Sequence, residues 1–441
     1  MVRCPFPGPF ALAETPAPIP EPAPRRSAFS AWRWGAALIA LCLIVAGAAV
    51  LLRDHSRHAV LPTHRASPSG FDRGAAGATL VDRLDRALRS GRGLGALADP
   101  TNPSARRELT TVAANLHKLR VSHFGLRYLD VAGSSAPSSV SPSDHPWVAV
   151  GQLTWRLQGV DRSDSQVEVP LVLGRRGSRA VFETARFTDD RRVPVWFTAP
   201  VAVRRSADAM VLSAREQRAN QLFRQAQVAV QTVRATLPRW HQALVVEEPA
   251  SGRGFETAAG MSATDARAIA AVTTTTDGSD LPTSAVHVYV NPRVYNPLGP
   301  NGQQIVLSHE ATHVALGAAT TSLPMWLSEG IADYVALRHS AVPVPTLASQ
   351  IRELVRKHGA PKRLPGPAQF SGANPDIGAY YEAAWVAVRL LAQEHGEPTL
   401  LRFYRTSDRL GGTQQTFRTV LGTTQAQFTR RWQSYLTSLA R

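Results

Sequence analysis

The stretch Leu307–Gly317 reads L-S-H-E-A-T-H-V-A-L-G and carries His309, Glu310 and His313 in the order H-E-x-x-H. On a helix, side chains four residues apart stand one turn, about 5–6 Å, apart on the same face, so both imidazoles can reach one ion. Glu310 lies about 100° around the helix from His309. It is close enough to handle a water at the ion without having to ligate it. Two imidazoles alone do not hold zinc, and a third ligand is required. The run "LPMWLSEGIADYVAL", introduced by Pro324, has helical spacing and sets Glu329 and Asp333 four residues apart on one face. Glu329 is the natural third ligand, leaving the fourth position open. Asp333 is placed to accept a hydrogen bond from the far nitrogen of a liganded histidine and so fix its orientation. Without an ion the same residues would be half-buried histidines and solvated carboxylates. The position of Glu329 between Leu327 and Ile331, with Gly330 suited to close helix packing, argues for the ion.

These residues need elements to hold them. The motif helix is expected to open on a capping box of Asn301 and Gln304 and to stop at Gly317. Ahead of it stand a long helix, "SAREQRANQLFRQAQVAVQTVRATL", and two strands, "ALVVEEP" and "AVHVYVNP"; helical patterns dominate after it. Residues 206–441 therefore read as one α+β domain, a small sheet followed by a mostly helical part. Residues 76–205 begin with two helices, "ATLVDRLDRALRSG" (Leu80, Leu84 and Leu88 on one face) and "ARRELTTVAANLHKL". Five strand-like runs follow between Val121 and Arg205, which predicts a second, smaller α+β domain. Its order of elements resembles the cone-shaped nuclear-transport-factor-2-like fold.

"HEATH", with Glu329 of "WLSEGIADY" 16 residues beyond His313, resembles the gluzincin metallopeptidases, and most closely the bacterial peptidase MA-like domains. The resemblance covers roughly 210–441 and implies a zincin-like fold, a Zn2+ cofactor and a peptide or protein substrate. It also implies an oxyanion-stabilising tyrosine on a downstream helix. "GAYYEAAWVAVRLLAQEHG" fits that helix, with Tyr381 first in line and Tyr380 in reserve. Zinc on His309, His313 and Glu329 would then acidify a water and polarise the scissile carbonyl, while Glu310 acts as general base and Tyr381 as oxyanion donor. The aminopeptidase branch carries a G-x-M-E-N segment that anchors a free amine. Here "AVHVYVNPRVY" stands in its place, with no carboxylate, which points to cleavage within chains. The same strand, Ala285–Val290, is expected to form the sheet edge along which a peptide pairs.

The 441-residue chain has a net charge of +16, yet only Lys118, Lys357 and Lys362 of its 49 basic residues are lysines. The arginines are scattered, with no stripe interleaved with stacking aromatics, so no nucleic-acid partner is expected. Cys4 and Cys42 lie outside the folded region, which leaves no disulfide framework. Residues 1–31 are Pro/Ala-rich and read as a disordered tail. Trp32–Leu52 is apolar and flanked by Trp32 and Trp34, which predicts a retained single-pass anchor. A signal cleaved near Ala46–Ala49 is the competing reading. Residues 53–75, with His55, His58 and His64, read as a polar linker. Together these predict a cell-membrane protein with its catalytic domain outside the cytoplasm. The alternative is a membrane-anchored interaction protein whose zinc is only structural.

Overall fold

The computed structural model describes residues 71–132, 144–185, 191–371 and 374–441. The expected tail and anchor, and most of the linker, lie outside the described residues. Among the described residues no helix is long and apolar enough to cross a membrane.

The chain is α+β, as expected. Helix α1 (Arg73–Ser90) starts where the Asp72 carboxylate accepts the Ala75 N–H and stops at Gly91, whose φ of 65° suits glycine. Helix α2 (Pro103–Leu119) is capped by Asn102. Leu80, Leu84 and Leu88 are buried, as their spacing predicts. The strands β1 (Val121–Val131), β2 (Asp144–Leu157), β3 (Ser165–Arg176) and β4 (Arg179–Thr184) form an antiparallel meander in sequence order. The last of the five runs departs from expectation. It opens with a one-turn helix at Val195–Thr198 and then gives β5 (Ala202–Arg205), which pairs into a second sheet.

That sheet has the order β5-β6-β7-β9-β8, with β6 (Ala209–Ser213), β7 (Leu244–Glu248), β8 (Ala271–Thr275) and β9 (Val286–Val290). The pairs β6–β7 and β7–β9 are parallel, and both edge strands run antiparallel. Helix α3 (Glu216–Thr236) links β6 to β7. The strands are apolar on both faces because both faces are covered. Val211, Val246 and Val288 join a core with the helices, whereas Met210, Val245 and Tyr289 join the core of the first sheet and its helices.

Two expectations are corrected here. Strand β9 is interior, held between β7 and β8; the edge is β8, in the stretch "AVTTTT". These β-branched residues suit a strand, and with only two strands expected ahead of the motif helix, β9 looked terminal. The motif helix α4 (Pro300–Leu316) starts from Gly299 without a side-chain cap, since Pro300 presets the first turn and replaces an N–H that would need a partner. Asn301 lies inside that turn, and Gln304 donates instead to Gln225 O and Ser308 Oγ. The stop at Gly317 (φ 68°) is as expected.

Helices α5 (Met325–Ala336), α6 (Ser349–His358), α7 (Ile377–His395), α8 (Glu397–Arg409), α9 (Gln414–Leu421) and α10 (Gln425–Ala440) complete the fold. Helices α5 and α7 pack tightly at Gly330, where an added Cβ would sit 2.5 Å from Ala384 O.

Candidate metal centre

Both motif helices run through the core. Every residue from Val306 to Val314 on α4, and from Met325 to Asp333 on α5, is buried. Glu329 and Asp333 are each 1% exposed, so the surface-carboxylate reading fails. Buried carboxylates and imidazoles persist only when paired or bound to a metal.

The pairing is dense. His309 Nε2 and His313 Nε2 stand 2.9 Å apart, and Glu329 Oε2 lies 3.3 Å from the first and 3.4 Å from the second. Three donor atoms thus converge on one point, as the ligand set requires. Tetrahedral bonds of roughly 2.0–2.1 Å place zinc ligand atoms roughly 3.3–3.4 Å from one another. The two histidine–glutamate separations match that, and the histidine pair is slightly tighter. Asp333 Oδ1 lies 2.9 Å from His309 Nδ1, which makes Nδ1–H the donor and turns the Nε2 lone pair toward the other two ligands. Nδ1 of His313 and Oε1 of Glu329 are buried without a hydrogen-bond partner among the described residues.

The charges agree with this geometry. Burial opposes a charge on His309, but Asp333 and Glu329 overcome it and push the imidazole pKa up to about 10. Burial likewise raises Glu329, yet the two imidazoles hold its carboxyl down at about 2.

Glu310 stands apart from the three ligands, as its place on the helix predicts. It accepts a 2.7 Å hydrogen bond at Oε2 from the Thr273 hydroxyl of edge strand β8, and the same hydroxyl reaches Glu310 O at 3.0 Å. Burial raises its pKa, which the nearby imidazoles partly offset. Sequence reasoning missed Thr273, although the run of β-branched residues around it was the available signal.

Tyr381 is fully buried on α7, its ring edge-on to Phe370 at 4.8 Å; Tyr380 is half-buried. The adjoining Glu382, also missed, accepts from Ile351 N at 2.8 Å, and burial, with Asp333 adding to it, drives its carboxyl up to about 8. A third tyrosine, Tyr404 of α8, faces the hydroxyls of Ser328 and Thr321, and its phenol is raised by burial, by Asp408 and by Glu329.

A second buried cluster joins the two sheets. His287 of β9 bridges Glu247 of β7 (Nδ1–Oε1 2.6 Å) and Asp161 of the β2–β3 turn (Nε2–Oδ1 3.0 Å). Burial disfavours its charge, but the two carboxylates push it up to about 10. No protein-family model, curated protein or solved structure matches this chain.

Proposed function

We propose that the chain is a membrane-anchored, zinc-dependent endopeptidase of gluzincin type. Residues 206–441 form its zincin-like domain, and the preceding unit is a nuclear-transport-factor-2-like domain. The observation that carries this reading is the buried convergence of His309, His313 and Glu329 at tetrahedral ligand spacing, with Glu310 free of the set and tied to the edge strand. Zinc bound by His309, His313 and Glu329 would supply a Lewis acid and acidify a water. His309, fixed by Asp333, presents Nε2, and Glu329 supplies the negative charge. Glu310 removes a proton from the attacking water and passes it to the leaving amine. Strand β8 offers an extended peptide its free edge beside Glu310. Tyr381, on the helix packed against α5, is assigned to donate a hydrogen bond to the oxyanion. The anchor and the extracytoplasmic location rest on Trp32–Leu52.

One observation favours the second reading, a zinc-holding interaction protein: the His309 and His313 side chains are only 2% and 8% exposed. The test uses the full chain, elemental analysis and a broad peptide library. Wild type should carry about one zinc and cleave library peptides. Glu310→Gln should keep the zinc and lose about 10²–10⁴-fold in rate or more. Tyr381→Phe should lose roughly 10²–10³-fold. Zinc-replete wild type that cleaves nothing leaves the interaction protein as the conclusion.

A further inference from the structure

A cavity of about 900 Å³ begins one turn beyond His313, at Ala315 and Leu316 of α4. That volume is at the upper end of ordinary ligand pockets. Its walls carry Arg162, Arg239, Arg402, Arg405 and Arg409 against a single carboxylate, Asp408. None of the five guanidinium groups makes an ion pair among the described residues, whereas other exposed arginines, such as Arg156 and Arg431, do. One buried donor on the same wall, Nε1 of the 8% exposed Trp240, has no hydrogen-bond partner among the described residues. The lining therefore has an excess of donors and of positive charge, which suits an anionic, acceptor-rich occupant.

The cavity is also built rather than incidental. Arg162 comes from the β2–β3 turn, and its neighbour Asp161 is fixed by His287 and by the Leu157 N–H at 2.8 Å. Tyr404 lies against Ser328, the residue before Glu329.

We propose that this cavity is a substrate subsite for a stretch of peptide bearing aspartate or glutamate side chains, so that the enzyme prefers acidic sequence to one side of the scissile bond. The proposal deepens the peptidase reading and rests on it. Guanidinium forks pair bidentately with carboxylates, and the position next to the ligands places such side chains a few residues from the ion.

The experiment measures fluorescence anisotropy of labelled peptides on the zinc-loaded full chain carrying Glu310→Gln, which prevents turnover. An acidic peptide should bind at least tenfold tighter than the same peptide with Gln and Asn in place of its acids, and salt should weaken only the former. The Arg402→Ala/Arg405→Ala pair should remove roughly that tenfold and leave the neutral peptide unaffected, at unchanged zinc content and circular dichroism. The Arg402→Lys/Arg405→Lys pair should restore part of it. Equal binding of the two peptides, or an alanine pair with no effect, overturns the subsite. So does polyphosphate displacing the acidic peptide at lower concentration per charge, which would assign the cavity to a phosphate polymer. If acidic peptides bind as described and wild type cleaves none, the subsite stands and the peptidase reading falls. If wild type cleaves acidic and neutral peptides equally, the reverse holds.

Discussion

Asp333 accepts a hydrogen bond from His309 Nδ1 and so decides how that histidine presents its other nitrogen. Asp333→Asn keeps the shape and loses the charge, so zinc affinity should fall about 10–100-fold, measured by competition with a chromogenic chelator. A second expectation follows from the imidazole pKa of about 10. Because the metal-free centre holds that proton at neutral pH, zinc must displace it, and zinc affinity should rise with pH from 7 toward 10. Titration calorimetry in buffers of different ionisation enthalpy should register about one proton released; affinity flat over that range would refute the displacement. At this scale the sequence was informative, because ligand chemistry depends on residue type and helical spacing, both of which are local. His309, His313, Glu329 and Asp333 come together as their spacing predicts, and Glu310 stands beside them bonded to Thr273. Tyr404 was not legible, and the β-branched run around Thr273 signals a strand without tying it to a site formed over 30 residues away.

Between elements, the contact that sets Glu329 is the α5–α7 crossing. Gly330 meets the Ala384 carbonyl so closely that a methyl group must push backbone, not a flexible side-chain end. Gly330→Ala should therefore cost about 3 kcal/mol, at the upper end of overpacking effects, and should weaken zinc binding by shifting the adjacent ligand. Melting with and without zinc checks this, and an unchanged midpoint would show that the helices can separate freely. Helices with strong periodicity, such as α1 and α2, were legible in the sequence. The edge position of β8 was not, because strand order depends on pairings between segments that no local pattern encodes. The missing cap on α4 was a competition between two local signals, Asn301–Gln304 against Pro300, and proline prevailed.

Across the whole molecule, Asp161, Glu247 and His287 fasten one sheet to the other. Replacing His287 by Gln leaves two carboxylates buried against each other, and breaking such a cluster costs about 3–5 kcal/mol. The sign with pH is definite. A histidine raised from 6.5 to about 10 contributes fully below pH 6.5 and loses that contribution as pH rises through 10. The stability gap between wild type and His287→Gln, from urea denaturation, should thus be widest near pH 6 and close above pH 10. This junction was invisible in the sequence, since its three members are spread from 161 to 287. The shared core has one more consequence, which concerns synthesis. Met210, Val245 and Tyr289 complete an apolar surface begun by the first four strands. Some 85 residues separate the end of β5 from the end of β9. At about 5–20 residues per second a ribosome needs roughly 4–17 s to deliver them. For that interval the nascent first unit carries an uncovered apolar face, which makes it a substrate for chaperones until the second sheet emerges.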